Sequence, residues 1–362
     1  MKKSILISAL ALASLATTSC SNEETKAIEP QSNAIEFGTY LGRDAISRGS
    51  EFTTDAMKTQ GFGVFAAYTG QNDFASQPMN FMYNQKVTYN NTSSVWEYTP
   101  LKYWPNNQGD KVSFFAYAPY NVTGATAGTT AATVNFTVQD AVANQKDLVV
   151  ADALKDKTKQ SISEKVTFDF KHVLARIGLN VVAQVDKVNT NNNGDIDNDD
   201  NNGTLDGNTK ITVTKVELIG KFDKSGVIDL TNSTWSDVAA ASDDVTYTWE
   251  TANFVSTVAN NVTTDNQKLN ADGSYAMIIP QNMTGIKLKV YYTVTTTDTS
   301  DSKNNSVINN EITSDAFAFN FQKGKAYMFN LHLGMTSVKF YATVSEWDAE
   351  TEHVVNLPIN QN

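Results

Sequence analysis

Residues 286–296 read IKLKVYYTVTT and alternate without a break. Ile286, Leu288, Val290, Tyr292 and Val294 share one face. Lys287, Lys289, Tyr291, Thr293 and Thr295 share the other. Side chains repeat every two residues only in extended backbone, so this segment is expected to be a half-buried antiparallel strand. The same period recurs along the chain. Ile35, Phe37 and Leu41 fall on one side of a first strand, with Thr39 between them. Phe62, Val64, Ala66 and Tyr68 alternate with Gly63, Phe65 and Ala67. KVSFFAYAPY (111–120), AATVNFTV (131–138) and KDLVVA (146–151) follow. In KITVTKVELIG (210–220), Ile211, Val213 and Lys215 oppose Thr212, Thr214 and Val216, with Leu218 beyond. SYAMIIPQ (274–281), AYMFNLHLGM (326–335) and SVKFYATV (337–344) complete the set, ahead of Trp347. Residues 166–183 have alternating, β-branched ends and are expected to form one long, bent strand bridging two domains. Helical periodicity is almost absent. Short strands punctuated by Gly, Pro and Asn predict an all-β chain with a sandwich in each half.

The lone cysteine, Cys20, follows a patterned leader. Lys2 and Lys3 are basic, Ser4–Ala16 is an apolar run, and Thr17, Thr18 and Ser19 are small. This is the three-part pattern of an export signal, and its run is shorter than the roughly 20 residues that span a bilayer. A cysteine directly after the small residues is the arrangement of a bacterial lipoprotein, whose acylated Cys becomes the new N-terminus. Thr17 stands where a Leu is usual, so an ordinary cleaved signal with an incidental Cys is the alternative. Two or more acyl chains would hold the protein at a membrane stably. The expected organisation is a signal peptide at 1–19, a polar tether at 20–33, an N-terminal sandwich at 34–165 and a C-terminal sandwich at 166–362.

Charge and motifs narrow the function classes. The formal charge of −11 becomes −13 once the leader takes Lys2 and Lys3 away. An acidic exported chain makes a poor partner for nucleic acid or anionic lipid. No Cys remains for disulfides after Cys20, so packing supplies the stability. No G-x-S-x-G, H-E-x-x-H or P-loop occurs, and Gly61-x-Gly63 precedes an apolar strand rather than a helix. His332 sits between Leu331 and Leu333, which fits cross-strand packing. His172 lies between Lys171 and Val173 with no predicted acid partner. No catalytic residues and no enzyme activity are expected.

Two further stretches hold open choices. The Asp/Asn-rich loop 189–209 places Asp195, Asp197 and Asp199 at the 1-3-5 spacing of a calcium loop, with Asp206 at position 12. Asp200 stands where that loop needs Gly, so a solvated acidic insertion is the plainer reading, and calcium is the one candidate cofactor. Residues 80–107 carry Phe81, Tyr83, Tyr89, Trp96, Tyr98, Tyr103 and Trp104. They could stack on sugar rings or fill a sandwich core.

SVWEYTPLKYWPNNQGDKVSFFAYAPY (94–120) resembles the fimbrillin family of Bacteroidales-type bacteria, with its W-x-Y-x-P-x-K-Y-W-P and V-x-F-F-A-Y-x-P motifs. FDFKHVLARIGLNV (168–181), YAMIIPQ (275–281) and the ending FQKGKAYMFNLHL…TVSEWDAE (321–350) resemble it too. CSNEE resembles the acidic tag that sends such lipoproteins to the cell surface. The resemblance implies two tandem transthyretin-like, Greek-key β-sandwich domains and a structural or adhesive fimbrial subunit at the outer membrane. It also implies cleavage after an Arg behind the first strand, at Arg48 or Arg43. Loss of that strand, with Ile35, Phe37 and Leu41, opens a groove that another subunit fills. In EHVVNLPIN (352–360), Val355, Leu357 and Ile359 make a candidate donor strand. Pro358 lacks an N–H and needs a non-pairing position. Other subunits are thus the expected partners, in a head-to-tail polymer. The competing readings are a surface glycan-binding lipoprotein, using the 80–107 aromatics, and a calcium-assisted tip adhesin that does not polymerise.

Overall fold

The computed structural model describes residues 33–42, 52–122, 125–128, 131–162, 164–183, 187–188, 204–205, 209–239, 241–250, 267–268, 275–298, 300–333 and 338–347. Its elements, in chain order, begin with β1 (Phe37–Leu41), α1 (Thr54–Gln60), β2 (Phe62–Gly70), β3 (Met82–Asn90) and β4 (Val95–Glu97). Next come β5 (Lys111–Ala118), β6 (Ala125–Ala127), β7 (Thr133–Thr137), β8 (Val149–Ala151), β9 (Leu154–Lys157) and β10 (Val166–His172). Then follow β11 (Ala175–Ala183), β12 (Lys187–Val188), β13 (Thr204–Leu205), β14 (Thr209–Gly220), β15 (Ser225–Asp229), β16 (Thr234–Ser236) and β17 (Val245–Glu250). The last are β18 (Gln267–Lys268), β19 (Ala276–Ile278), β20 (Gln281–Thr296), β21 (Ser306–Thr313), β22 (Phe317–Phe321), β23 (Lys325–Leu333) and β24 (Val338–Glu346).

The chain is all-β, as its period predicts. One sheet runs β1-β10-β8-β5-β2-β3-β4, with β9 on β5. Three more run β16-β15-β7-β6, β18-β11-β23-β24 with β19 on β11, and β17-β14-β20-β21 with β22 on β20. In β20 the inward set Ile286, Leu288, Val290, Tyr292 and Val294 is buried, as the alternation requires. In β14, Val213, Val216 and Leu218 are all buried although their parity differs. A bulge between Val213 and Lys215 inserts Thr214 and resets the faces.

β2 and β5 are buried on both faces. Phe62, Val64, Phe114 and Ala116 face one core with Phe168 and Phe170. Phe65, Phe115 and Tyr117 face the other, with Val134, Phe136 and Ile228. Strands from either side of Lys165 meet here, because β7 pairs antiparallel with β15. The bend expected in residues 166–183 lies at Val173–Leu174. β10 ends there in the first sheet, and β11 starts in another. Trp235 Nε1 donates to Val173 O at 2.9 Å, and Gln145 Oε1 accepts from Met277 N–H at 2.6 Å, so side chains pin the junction from both sides.

Burial has a consequence at high pH. It pushes the Tyr117 phenol up to about 12, with Tyr120 adding a little and the bond to Asn84 opposing it. Burial raises Tyr247 as well. The unfolded phenols ionise near pH 10, so above that the unfolded state holds fewer protons than the folded state. Stability is therefore expected to be complete below about pH 10 and to fall as pH rises through 10 towards 12. Urea midpoints across that range, with Tyr117→Phe as the control that flattens part of the slope, check this. An unchanged midpoint refutes it.

Candidate functional site

β1 is an edge strand with a single strand partner, β10, and it runs parallel to that partner. Phe37 pairs with Val166 and Leu41 with Phe170. Val166 N–H donates to Glu36 O at 2.8 Å, which continues the ladder back by one residue. On the opposite side the chain meets the segment after β4. Ile35 N–H donates to Lys102 O and Trp104 N–H to Asn33 O, each at 2.9 Å. The Tyr98 hydroxyl donates to Ile35 O at 2.8 Å. The first segment thus fills a slot, with β10 along one wall and residues 98–104 along the other.

The slot is lined for an apolar strand. Ile35, Phe37 and Leu41 are buried, as the sequence predicts, while Tyr40 points out and is 53% exposed. Phe37 sits in an aromatic box. Its ring lies 5.2 Å from Tyr98, 5.6 Å from Phe168, and 6.2 Å from both Phe62 and Phe114. Below the box, α1 caps the core with Met57. Thr53 opens this helix by accepting from Ala56 N–H at 3.2 Å. Gly61 closes it at φ 72°, where a Cβ would stand 2.4 Å from Val87 O. The sequence pattern missed this helix; Thr53 and Gly61 were its signal.

A second feature sits at the far end of β10. His172 Nδ1 lies 2.7 Å from Asp147 Oδ2, with both side chains buried. The acid partner absent from the sequence reading is therefore Asp147, 25 residues away and brought in by the β8–β10 pairing. The same Oδ2 accepts Phe52 N–H at 3.2 Å. The imidazole stacks on Trp347 at 4.3 Å, 3° from parallel, and the Arg176 guanidinium lies 5.1 Å from that indole. One carboxylate and one imidazole so hold Phe52, just after residues 43–51, and Trp347, just before residues 348–362.

The 80–107 aromatics divide. Trp104 is buried edge-on against Phe114, and Trp96 packs on Phe62 and Tyr89. Trp104 therefore cannot serve as a sugar platform. Tyr83 and Tyr103 are more than half exposed. A cleft of about 370 Å³ is lined by Gln85, Lys86, Thr88, Glu97, Tyr98 and Thr99. Cys20, Arg43, Arg48, the loop residues Asp195, Asp197, Asp199 and Asp206, and the tail residues Val355, Leu357 and Ile359 lie outside the described residues. His332 lies in β23, in register with Val182 of β11 and Lys339 of β24.

Comparison with known proteins gives a consistent picture. A sequence-family model described as fimbrillin-like matches residues 51–347. A fimbrium subunit of Phocaeicola vulgatus, Fim1C, is 29% identical over 399 residues, covering 96% of this chain and 98% of that protein. A fimbrial protein of Bacteroides vulgatus ATCC 8482, known from a crystal structure, superposes with a TM-score of 0.66 at 24% identity. That match spans 87% of this chain and 99% of the other. The second likeness is one of fold.

Proposed function

Because this chain belongs to the fimbrillin-like family, we propose that it is a structural or adhesive subunit of a surface fimbria, assembled by strand exchange. In this reading the subunit travels as a lipoprotein acylated at Cys20 and reaches the outer membrane. A protease then cuts after Arg48 or Arg43, the first strand leaves, and a strand from another subunit takes its slot.

The observation that carries this reading is the slot itself. Burying Ile35, Phe37 and Leu41 contributes about 5–9 kcal/mol at roughly 1.5–3 each. An uncut chain keeps its own strand, because a tethered segment competes at a high effective concentration. Cutting between Gly42 and Phe52 removes that advantage and leaves the new N-terminus held, since Phe52 N–H is bound to Asp147. The vacated slot exposes an apolar floor and a row of unpaired backbone groups on β10, which an added strand satisfies. Departure of residues 20–48 removes the acyl anchor in the same event. The glycan alternative loses Trp104 as its contact, so it is the weaker reading.

Treating the full chain with an Arg-specific protease tests this. The expected result is a new N-terminus at Gly49 and a ladder of oligomers in mild detergent. Arg48→Lys is expected to abolish both, unless Arg43 is the cut site, in which case Arg43→Lys does so. A chain that stays full-length and monomeric overturns the proposal.

A further inference from the structure

β21 forms one edge of its sheet, and among the described residues it pairs with β20 alone. Ser314 N–H donates to Leu288 O at 2.8 Å, which makes that facing pair a hydrogen-bonded one. Bonded pairs recur at every second residue of an antiparallel ladder. Ser306, Ile308, Asn310 and Ile312 therefore turn their backbone groups to β20. Val307, Asn309, Glu311 and Thr313 turn theirs to the open edge. The Thr214 hydroxyl donates to Tyr291 O at 3.2 Å from β14, on the far side of β20, as the same parity requires.

Open edges are commonly blunted by lysine, proline, a bulge or short length. β21 has none of these: it runs eight residues, SVINNEIT, in unbroken register. Val307 is 67% exposed and Ile308 54%. The one charged residue, Glu311, lies 3.1 Å from Lys289 Nζ within the same sheet, so the edge presents little net charge. This edge is also complementary to itself. A two-fold axis normal to the sheet keeps each face on its own side, so facing residues have numbers of equal parity. Open-edge residues then meet open-edge residues. With the axis at Asn310, Val307 faces Thr313 and Asn309 faces Glu311, so every outward N–H and C=O finds a partner. Ile308 faces Ile312 on the side of buried Val290 and Val294, which extends the apolar face across the seam. An axis at Asn309 leaves Thr313 out and sets Ile308 against Asn310. An axis at Glu311 sets that carboxylate against its own copy.

We infer that two copies of this chain join edge to edge, β21 against β21, antiparallel about a two-fold axis at Asn310. The seam lies on a different sheet from the β1 slot and needs neither cleavage nor strand exchange. One strand-to-strand seam is a small interface, so free copies associate weakly. In the array that the fimbrial reading supplies, many seams act together and hold fibres side by side.

The uncut full chain, with Cys20→Ser as background, tests this. Asn310→Cys places two thiols at a non-hydrogen-bonded pair, about 4.5 Å apart at Cα and within disulfide reach. Mild oxidation is expected to give a covalent dimer, with several-fold less from Asn309→Cys. Asn309→Pro, added to Asn310→Cys, removes an outward N–H and leaves the ladder to β20 whole. Its only other loss is the exposed contact with Thr293 Oγ1. It is expected to cut dimer yield about tenfold, the effect of roughly 1.4 kcal/mol, with an unchanged thermal midpoint. Ile308→Lys sets a charge in the seam, keeps the backbone intact, and should cut the yield similarly. No covalent dimer from Asn310→Cys, or a dimer that Ile308→Lys fails to weaken, overturns the seam. A higher yield from Asn309→Cys overturns the axis at Asn310.

Discussion

Phe37→Ala is expected to destabilise the folded chain by about 3–5 kcal/mol, the range for truncating a fully buried phenylalanine. The ring is 2% exposed and touches four others, Phe62, Tyr98, Phe114 and Phe168. These belong to different elements, so they cannot collapse together into the space. Tyr40→Ala, on the same strand but pointing outward, is expected to change stability by no more than about 0.5 kcal/mol. Urea unfolding of the two variants compares them directly. The contrast bears on the proposed strand exchange, in which the energy that keeps the first strand in place is the energy a donor must match. Phe37→Ala should also speed loss of the strand after proteolysis. Equal costs for the two substitutions would mean that the slot is not selective for its inward face.

Much of the slot was legible in the sequence, and the reason is local. Ile35, Phe37 and Leu41 alternate, and alternation reports a face without any knowledge of the partner. The same holds for β20. Parity in β14 could be read only up to Thr214, because a bulge changes the face without changing composition. β2 and β5 read as nearly continuous apolar runs, which strands buried on both faces produce. What the sequence withheld was pairing at a distance. The parallel contact of β1 with β10 joins residues about 130 positions apart. It sets which N–H groups face which wall, and no local pattern encodes that. The aromatics of 80–107 show the same limit. Trp104 and Tyr103 are neighbours, yet one is buried and the other is 57% exposed.

The largest effect outside the slot is expected at Asp147. Asp147→Ala should cost about 3–5 kcal/mol, because it removes one member of a fully buried side-chain pair, 2.7 Å from His172 Nδ1. Phe52 N–H loses its acceptor in the same change. Oδ1 of Asp147 is buried and has no hydrogen-bond partner among the described residues, so Oδ2 alone carries both contacts. His172→Ala should also be costly, since the imidazole covers one face of Trp347. The two losses overlap at one bond, and a double-mutant cycle measures the overlap. The double variant is expected to fall short of the summed single costs by about 0.5–3 kcal/mol, as residues in direct contact do. Tryptophan fluorescence adds a separate readout, since freeing Trp347 should shift its emission to the red in both His172→Ala and the double variant. Additivity would mean that Asp147 serves Phe52 alone. Phe52 and Trp347 would then be held by separate contacts rather than by one.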